Sequence, residues 1–234
     1  MTKGETMSMT LERPVVPMAG CAIRRSILDA TAVRTPFPHW LLRNVLPAGL
    51  RDDIRALPFP PMRVTDTLGK RETHNSRRIF ISEENRARFA ACDALADAFQ
   101  DEATVGLLED RCGVSLGGSF PRIEYCLDTN GFWLEPHTDI GAKLLTFLIY
   151  LSDHPDAENW GTDIMDAAGH VLGRAPGSAN RGLMFAPASD TWHGFVKRPI
   201  DGVRRSLIVN YVKPEWRSRH ELAFPGQPVV SANG

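Results

Sequence analysis

The segment EPHTD at residues 135–139 decides the fold of this chain, together with the run RRSLIVNYV at residues 204–212. In an extended chain, residues i and i+2 point to the same side, so His137 and Asp139 can reach one point in space. His193 follows an apolar stretch much later in the chain, as expected where antiparallel strands bring distant segments together. The pattern predicts a mainly β protein in which these three side chains converge.

Two imidazoles and one carboxylate can occupy one face of an octahedral ferrous ion, which leaves the opposite face for a co-substrate and dioxygen. We therefore predict that His137, Asp139 and His193 are the metal ligands and the catalytic residues. A His-x-Asp tripeptide alone is common, and the alternative for His193 is a histidine of the core. The order of the three residues and the strands around them favour an Fe(II) site.

The strand after His193 begins with two arginines. A guanidinium offers a dicarboxylate co-substrate a permanently charged, planar and two-pronged partner. Arg204 and Ser206 share one face of this strand, whereas Arg205 points to the other side. We predict that Arg204 binds the co-substrate with Ser206 beside it. The alternative for Arg204 is a surface salt bridge.

The stretch from about Phe120 to Val212 resembles the core of the Fe(II)/2-oxoglutarate-dependent oxygenases, in their prolyl-hydroxylase-like branch. The motifs that carry the likeness are RIEY at 122–125, GF at 131–132, PHTD at 136–139, LLTFLIYLS at 144–152, WGTD at 160–163, His193, and GVRRS at 202–206. One departure is Gly161-Thr162, where the family often has two glycines.

The resemblance implies a double-stranded β-helix (jelly roll) with flanking helices. It also implies Fe(II) as cofactor, 2-oxoglutarate and dioxygen as co-substrates, and ascorbate as a candidate reductant. Halogenating relatives have Gly or Ala where this chain has Asp139, so hydroxylation or desaturation is implied instead.

Two tyrosines, one polar segment and one arginine are further candidates for the site. Tyr150 can donate a hydrogen bond to the distal carboxylate of 2-oxoglutarate beside Arg204, as the resemblance also implies, and Tyr125 can reach the co-substrate or iron-bound oxygen. Core packing with a satisfied hydroxyl is an equal alternative for both tyrosines. The polar segment 71–78 is either a substrate-selecting lid or a solvated loop. Arg122 contacts either a substrate carboxylate or a structural ion-pair partner.

The composition is that of an ordinary globular protein, with 43% hydrophobic and 24% charged residues among 234. The net charge is close to zero, with 27 basic and 28 acidic residues, so we expect no nucleic-acid and no membrane partner. The four cysteines lack CxxC spacing, and the opening residues 1–20 contain no apolar secretion signal. Reduced thiols and a cytoplasmic location are therefore expected, while the oligomeric state stays open.

The organisation predicted from the pattern is one domain at 21–218, with a flexible lead-in at 1–20, a jelly-roll core from about residue 119 and an irregular tail at 219–234. The predicted earlier elements are a first strand at 22–33, helices at 46–57, from Ser82 to about Gln100 and at about 102–111, and a short strand at 77–81.

These observations predict an oxygenase that hydroxylates an unactivated C–H bond of a small molecule, namely an amino acid, a specialised metabolite or a sugar intermediate. A hydroxylase of a peptidyl side chain such as proline is the first alternative. The second is a non-catalytic, cupin-like protein that binds a metal or a metabolite. Such a protein has no reason to place an Arg-x-Ser motif 11 residues after its last ligand.

Overall fold

The computed structural model describes residues 15–61, 65–71, 78–139 and 141–231. Five helices lie at Val15–Leu28 (α1), Ala48–Arg55 (α2), Glu83–Arg88 (α3), Ala90–Gln100 (α4) and Glu102–Cys112 (α5). The strands are Thr31–Val33 (β1), His39–Arg43 (β2), Ile79–Phe80 (β3), Phe120–Asp128 (β4), Leu134–His137 (β5), Lys143–Tyr150 (β6), Asp163–Met165 (β7), Val171–Arg174 (β8), Arg181–Phe185 (β9), His193–Phe195 (β10) and Arg204–Val212 (β11). Short 3₁₀ turns lie at Pro155–Trp160 and Arg219–Glu221.

The strands form two antiparallel sheets. The larger sheet has seven strands in the order β1-β2-β9-β6-β11-β4-β3, and the smaller has four in the order β5-β10-β7-β8. Each pair of neighbouring strands is antiparallel. The prediction of a mainly β protein with flanking helices is therefore confirmed.

The two faces of the larger sheet pack against different partners, because neighbouring side chains on a strand point to opposite sides. One face packs against α1, α2, α4 and α5 through residues that include Ile123, Tyr125, Phe147, Leu207 and Val209. The other face packs against Ile164 of the smaller sheet through Leu148, Tyr150, Leu183 and Phe185. The helices thus cover one face, and the smaller sheet covers the other.

The helices match the predicted pattern with one interruption. Helix α2 buries Leu50 and Ile54, as their spacing predicted. The Ser82 hydroxyl accepts a hydrogen bond from the Asn85 amide at the start of α3. The predicted single helix from Ser82 to Gln100 is wrong at Phe89, whose extended backbone separates α3 from α4 and whose ring packs on Phe59.

Helix α5 has the predicted end. It stops at Gly113, whose positive φ of 66° is the left-handed conformation that glycine adopts without strain at a helix C-terminus.

The prediction of a first strand at 22–33 is wrong for most of its length. Helix α1 runs from Val15 to Leu28 and buries Ala19, Ile23 and Ile27, which lie four residues apart along one face. Only Thr31–Val33 is extended. Of the predicted lead-in, residues 1–14 lie outside the described residues, and helix α1 begins before residue 21.

The C-terminal residues follow an irregular path over the larger sheet. Leu222 forms an isolated bridge with Arg122, and the Val229 amide donates to the Ser119 carbonyl. Both Leu222 and Val229 are buried. Among the helices that the structure describes, none has the length and apolar character needed to cross a membrane.

Candidate metal centre and its pocket

The structure brings the three predicted ligands together between the two sheets. His137 ends β5 and His193 begins β10, and the two residues are paired in the ladder of the smaller sheet. His137 Nε2 lies 3.7 Å from Asp139 Oδ1, and His193 Nε2 lies 3.7 Å from Asp139 Oδ2. One ligand atom from each residue falls within 4.8 Å of the others. The three side chains can therefore contact one ion.

Both histidines are oriented by the backbone two residues before them. The Nδ1 atoms of His137 and His193 lie 2.9 Å from the carbonyl oxygens of Glu135 and Thr191, respectively. A ring that donates through Nδ1 presents the lone pair of Nε2, which is the form that binds a metal. Burial, and then the neighbouring His137, lower the pKa of His193 to about 4. The His193 imidazole is therefore neutral at neutral pH.

Asp139 is held as an ionised ligand in an unusual backbone conformation. Its φ is +63°, the left-handed region that Asp tolerates better than most residues. Lys143 Nζ donates to Oδ1 at 2.5 Å, and Thr146 Oγ1 donates to Oδ2 at 3.0 Å. Burial raises the pKa of Asp139, but the Lys143 ammonium and the two histidines outweigh it and hold that pKa well below its ordinary value.

The three candidate ligands lie in the wall of a pocket of about 440 Å³, a size typical of small-molecule sites. The larger sheet contributes side chains from β4, β6 and β11, and the smaller sheet contributes side chains from β5 and β10. The lining includes Arg71, Arg78, Arg122, Glu124, Lys143, Thr146, Leu148, Thr162, Arg204, Ile208 and Asn210. The pocket is therefore strongly polar on the side of the larger sheet.

Arg204 faces this pocket, and Arg205 faces the opposite side, where it interacts with Tyr125. The Arg204 guanidinium is already engaged: Nη1 lies 2.5 Å from Asp128 Oδ2, and Nε donates to the Trp160 carbonyl at 2.7 Å. Asp128 also accepts two hydrogen bonds from Arg71, at 2.8 and 3.2 Å. The surface salt bridge considered for Arg204 is thus a buried one, in which two guanidinium groups share one carboxylate.

Ser206 lies on the same face of β11 as Arg204 and is fully buried. Its hydroxyl finds no hydrogen-bond partner among the residues that the structure describes. Buried polar groups are nearly always hydrogen-bonded in native proteins, so the unpaired hydroxyl is unusual, although Ser206 itself does not line the pocket.

The two predicted tyrosines have different positions. The Tyr150 hydroxyl donates to Thr162 Oγ1 at 2.8 Å and accepts from the Thr162 amide at 3.1 Å, so it reaches the pocket only through Thr162. Tyr125 lies on the helix-covered face of β4, where it packs on Phe59. The expectation that Tyr125 reaches the co-substrate is wrong, because the register of β4 directs its even-numbered neighbours, such as Glu124, into the pocket.

The pocket also contains ion pairs, and the sequence had given no role to one of their members, Glu124. Arg78 forms a two-pronged pair with Glu124, with distances of 3.0 and 2.6 Å. Burial raises the pKa of Glu124, but Arg71 and Arg78 lower it to about 2. Arg122 pairs with Glu221 at 2.5 Å, which matches the structural ion-pair alternative.

The alternation of residues along β4 could have shown that Glu124 lies on the same face of the strand as Arg122. Arg71 and Arg78 are the two ends of the predicted lid segment, whose residues 72–77 lie outside the described residues.

Comparison of the fold with solved structures gives a consistent result. A prolyl-4-hydroxylase from Pseudomonas putida superposes with a TM-score of 0.52 at 16% identity, over 84% of this chain and 92% of that chain. A prolyl hydroxylase from Trichoplax adhaerens, solved with a hypoxia-inducible-factor peptide fragment, gives a TM-score of 0.53 at 12% identity, over 85% and 91% of the two chains. This chain has the prolyl-hydroxylase fold.

A third similar structure is an epimerase and not a prolyl hydroxylase. The epimerase SnoN, in complex with Fe3+, alpha ketoglutarate and nogalamycin RO, gives a TM-score of 0.50 at 17% identity, over 85% of each chain. No protein-family model and no curated protein sequence matches the chain. The comparisons confirm the likeness to prolyl hydroxylases in fold, and the chemistry rests on the residues of the site.

Proposed function

We propose that this protein is an Fe(II)- and 2-oxoglutarate-dependent oxygenase that hydroxylates an unactivated C–H bond of a small molecule. The observation that carries the proposal is the convergence of His137, Asp139 and His193 in the wall of a polar pocket. We assign the two facing sheets to the jelly-roll arrangement. The expected cytoplasmic location is also part of the proposal, and the four free cysteines are compatible with it.

The donor set fits Fe(II). Two imidazole nitrogens and one carboxylate are the facial set of three ligands that would leave the remaining coordination positions of Fe(II) open for further ligands. The hydrogen bonds from the Nδ1 atoms to backbone carbonyls fix the rings with Nε2 toward that point. When bound, Fe(II) and 2-oxoglutarate supply the oxidising chemistry, while the protein binds, orients and shields the reactants.

The end of the pocket near Arg204 fits the distal carboxylate of 2-oxoglutarate. The buried cluster at this end holds four arginines, Arg71, Arg78, Arg122 and Arg204, against three carboxylates, Glu124, Asp128 and Glu221, so an additional carboxylate is electrostatically favourable there. The unpaired Ser206 hydroxyl supplies a neutral donor on the same face. In this assignment Tyr150 acts indirectly, because its hydroxyl holds Thr162.

The substrate is proposed as a small molecule because the pocket has the volume of a small-molecule site. A peptidyl side chain such as proline is the second candidate, favoured by the two prolyl hydroxylases among the similar folds. The cupin-like binding protein is not favoured, because it does not explain two buried arginines placed at the end of the metal pocket.

The test of the function is anaerobic addition of Fe(II) and 2-oxoglutarate to the purified protein, followed by visible absorption of the chelate. We expect the weak charge-transfer band in the wild type and in His220→Ala, a control at an exposed histidine. We expect no band in His137→Ala. In air, a screen against amino acids, sugars and peptides should then yield succinate and a product that has gained one oxygen atom. Succinate production at the wild-type rate in His137→Ala would refute the assignment.

A further inference from the structure

A hydrogen-bond relay of Asp139, Thr146 and Asn210 connects a candidate metal ligand to another residue that lines the pocket. Thr146 Oγ1 lies 3.0 Å from Asp139 Oδ2, and Asn210 Nδ2 lies 2.9 Å from the same Thr146 oxygen. Thr146 and Asn210 are directly paired on β6 and β11. Both are about 1% exposed, so these contacts are shielded from solvent.

The chemistry of the relay fixes the orientation of the Asn210 amide. The Asp139 carboxylate, which is ion-paired with Lys143, accepts hydrogen bonds and does not donate them. The Thr146 hydroxyl must therefore give its only proton to Asp139. The Thr146 oxygen is then an acceptor, so it requires the NH2 group of Asn210. The carbonyl oxygen of Asn210, Oδ1, consequently points away from Thr146.

Asn210 Oδ1 is a buried acceptor without a partner. It makes no hydrogen bond to any residue in the described part of the chain, and Asn210 lines the same pocket as the three metal ligands. An unpaired buried acceptor costs free energy unless a ligand satisfies it. The relay prevents the amide from turning to donate instead, so this position accepts only a hydrogen-bond donor.

We propose that Asn210 Oδ1 accepts a hydrogen bond from an O–H or N–H group of the substrate and so selects its orientation beside the metal centre. The inference deepens the proposed function and rests on it for the identity of the reaction. It adds a property of the substrate, which must carry a hydrogen-bond donor close to the oxidised carbon.

The cations near this position are already paired. Arg122, which faces Asn210 across β4 and β11, binds Glu221, and Lys143 binds Asp139. The proposal therefore requires a hydrogen-bond donor at this position, namely a hydroxyl, amide or amine group, and no particular charge on the substrate.

The test uses acetamide, which has N–H donors, and N,N-dimethylacetamide, which has none. Both are titrated into the full 15N-labelled chain without metal, and the side-chain amide signals of Asn210 are followed by two-dimensional NMR. These signals are assigned by their absence in Asn210→Leu. We expect acetamide to shift the Asn210 signals in a saturable manner and N,N-dimethylacetamide to leave them in place.

Two variants separate the proposed contact from a purely structural role. Thr146→Val removes the relay but keeps the Asn210 oxygen, so it should move the resting Asn210 signals while acetamide still perturbs them. In Asn210→Leu, nearby pocket signals such as the Gly194 amide should no longer respond to acetamide. If the leucine variant does not fold, Asn210→Thr, which also lacks a side-chain amide, is used to assign the Asn210 signals.

Equal shifts with both probes, or no shift with acetamide, would overturn the proposal. Because the NMR titration needs neither metal nor turnover, its result does not depend on the proposed oxygenase activity. An absent chelate band with a positive acetamide result would reject the oxygenase and keep the donor-selective pocket.

Discussion

Arg204 and Asp128 face each other across β11 and β4, and their side chains meet at 2.5 Å in the buried end of the metal pocket. Arg204, which is predicted to bind the co-substrate, is thus held in place by a carboxylate of the protein itself. Asp128 also binds Arg71, which lies 3.9 Å from Glu124, so these groups belong to one buried ionic cluster. The cluster holds the Arg204 guanidinium in place on the pocket side of β11.

The first prediction concerns Arg204→Lys. A lysine keeps the charge but loses the planar, two-pronged geometry, so the dissociation constant for 2-oxoglutarate should rise about tenfold or more. The measurement is titration of the Fe(II) chelate band with 2-oxoglutarate. Arg205→Lys is the matched control, because Arg205 lies on the opposite face of the strand. Equal weakening in both variants would contradict the assignment of Arg204.

The second prediction concerns Asp128→Asn. Removing this carboxylate leaves the buried guanidinium groups of Arg71 and Arg204 without their shared counter-charge, so the free energy of unfolding should fall by roughly 3 to 5 kcal/mol. Urea unfolding measures this loss. Asp166→Asn, at a position paired with the exposed His170, should change stability little. A loss no larger than that of Asp166→Asn would show that the ionic unit is not important for stability.

The third prediction concerns Ser206→Ala, which should act in opposite directions on stability and on binding. Without co-substrate, the buried hydroxyl is unpaired, so its removal should leave stability unchanged or raise it by about 1 kcal/mol. With 2-oxoglutarate and Fe(II) present, the variant should gain less thermal stability than the wild type, because a donor to the ligand is lost. Thermal unfolding with and without the ligands measures both effects. An equal gain in the two proteins would remove Ser206 from the binding site.

The fourth prediction concerns Thr146→Val, a substitution of similar shape that removes the hydroxyl. Asp139 then loses one of the hydrogen bonds that orient it, and affinity for Fe(II) should fall about tenfold, as is usual when a group that orients a metal ligand is removed. Anaerobic Fe(II) titration gives the affinity. Thr31→Val, at an exposed position of β1, is the control. Unchanged affinity in Thr146→Val would mean that Lys143 alone is sufficient to orient Asp139.

The fifth prediction is an acid-dependent loss of stability that comes from Glu124. Its pKa is lowered in the folded state to about 2, so the folded state favours the ionised form. The stabilisation is therefore complete above the ordinary pKa of about 4.5 and is lost as the pH falls from there towards 2. It amounts to at most roughly 3 kcal/mol.

Glu124→Gln tests this prediction. The variant should be less stable than the wild type at neutral pH, and the difference should shrink as the pH is lowered through this window. Urea midpoints measured from pH 7 to pH 2.5 give the comparison. A difference that stays constant with pH would assign the loss to packing instead of to charge.

Much of the site could be predicted from local sequence, because the period of a strand is two. That period chose Arg204 over Arg205. The side chain of Asp139 does meet His137 as predicted, but not through the strand period, because β5 ends at His137 and Asp139 has a φ of +63°. The same period also placed Ser206 with Arg204. Helix α2 was predicted from apolar spacing, and the end of helix α5 was predicted from Gly113.

Local pattern failed where the relation between residues depends on a partner strand. Alternation in β4 shows that Tyr125 and Glu124 point to opposite sides, but it does not show which side is the pocket. The pairing of β4 with β11 decides that Glu124 faces inward and Tyr125 faces the helices. The strand predicted at 22–33 failed for a related reason, since burial against α4 and α5 stabilises a helix there.

By itself, the sequence determined which three side chains are candidates to bind a metal, the basic residue that follows them and the β character of most segments around them. These follow from residue chemistry and from the alternation of residues along the strands. Only the tertiary structure decided that Asp128 binds both Arg204 and Arg71, and that Asn210 donates to Thr146 and leaves its oxygen unpaired. Those contacts join segments far apart in the chain, and their geometry is set by strand register, which no local pattern specifies.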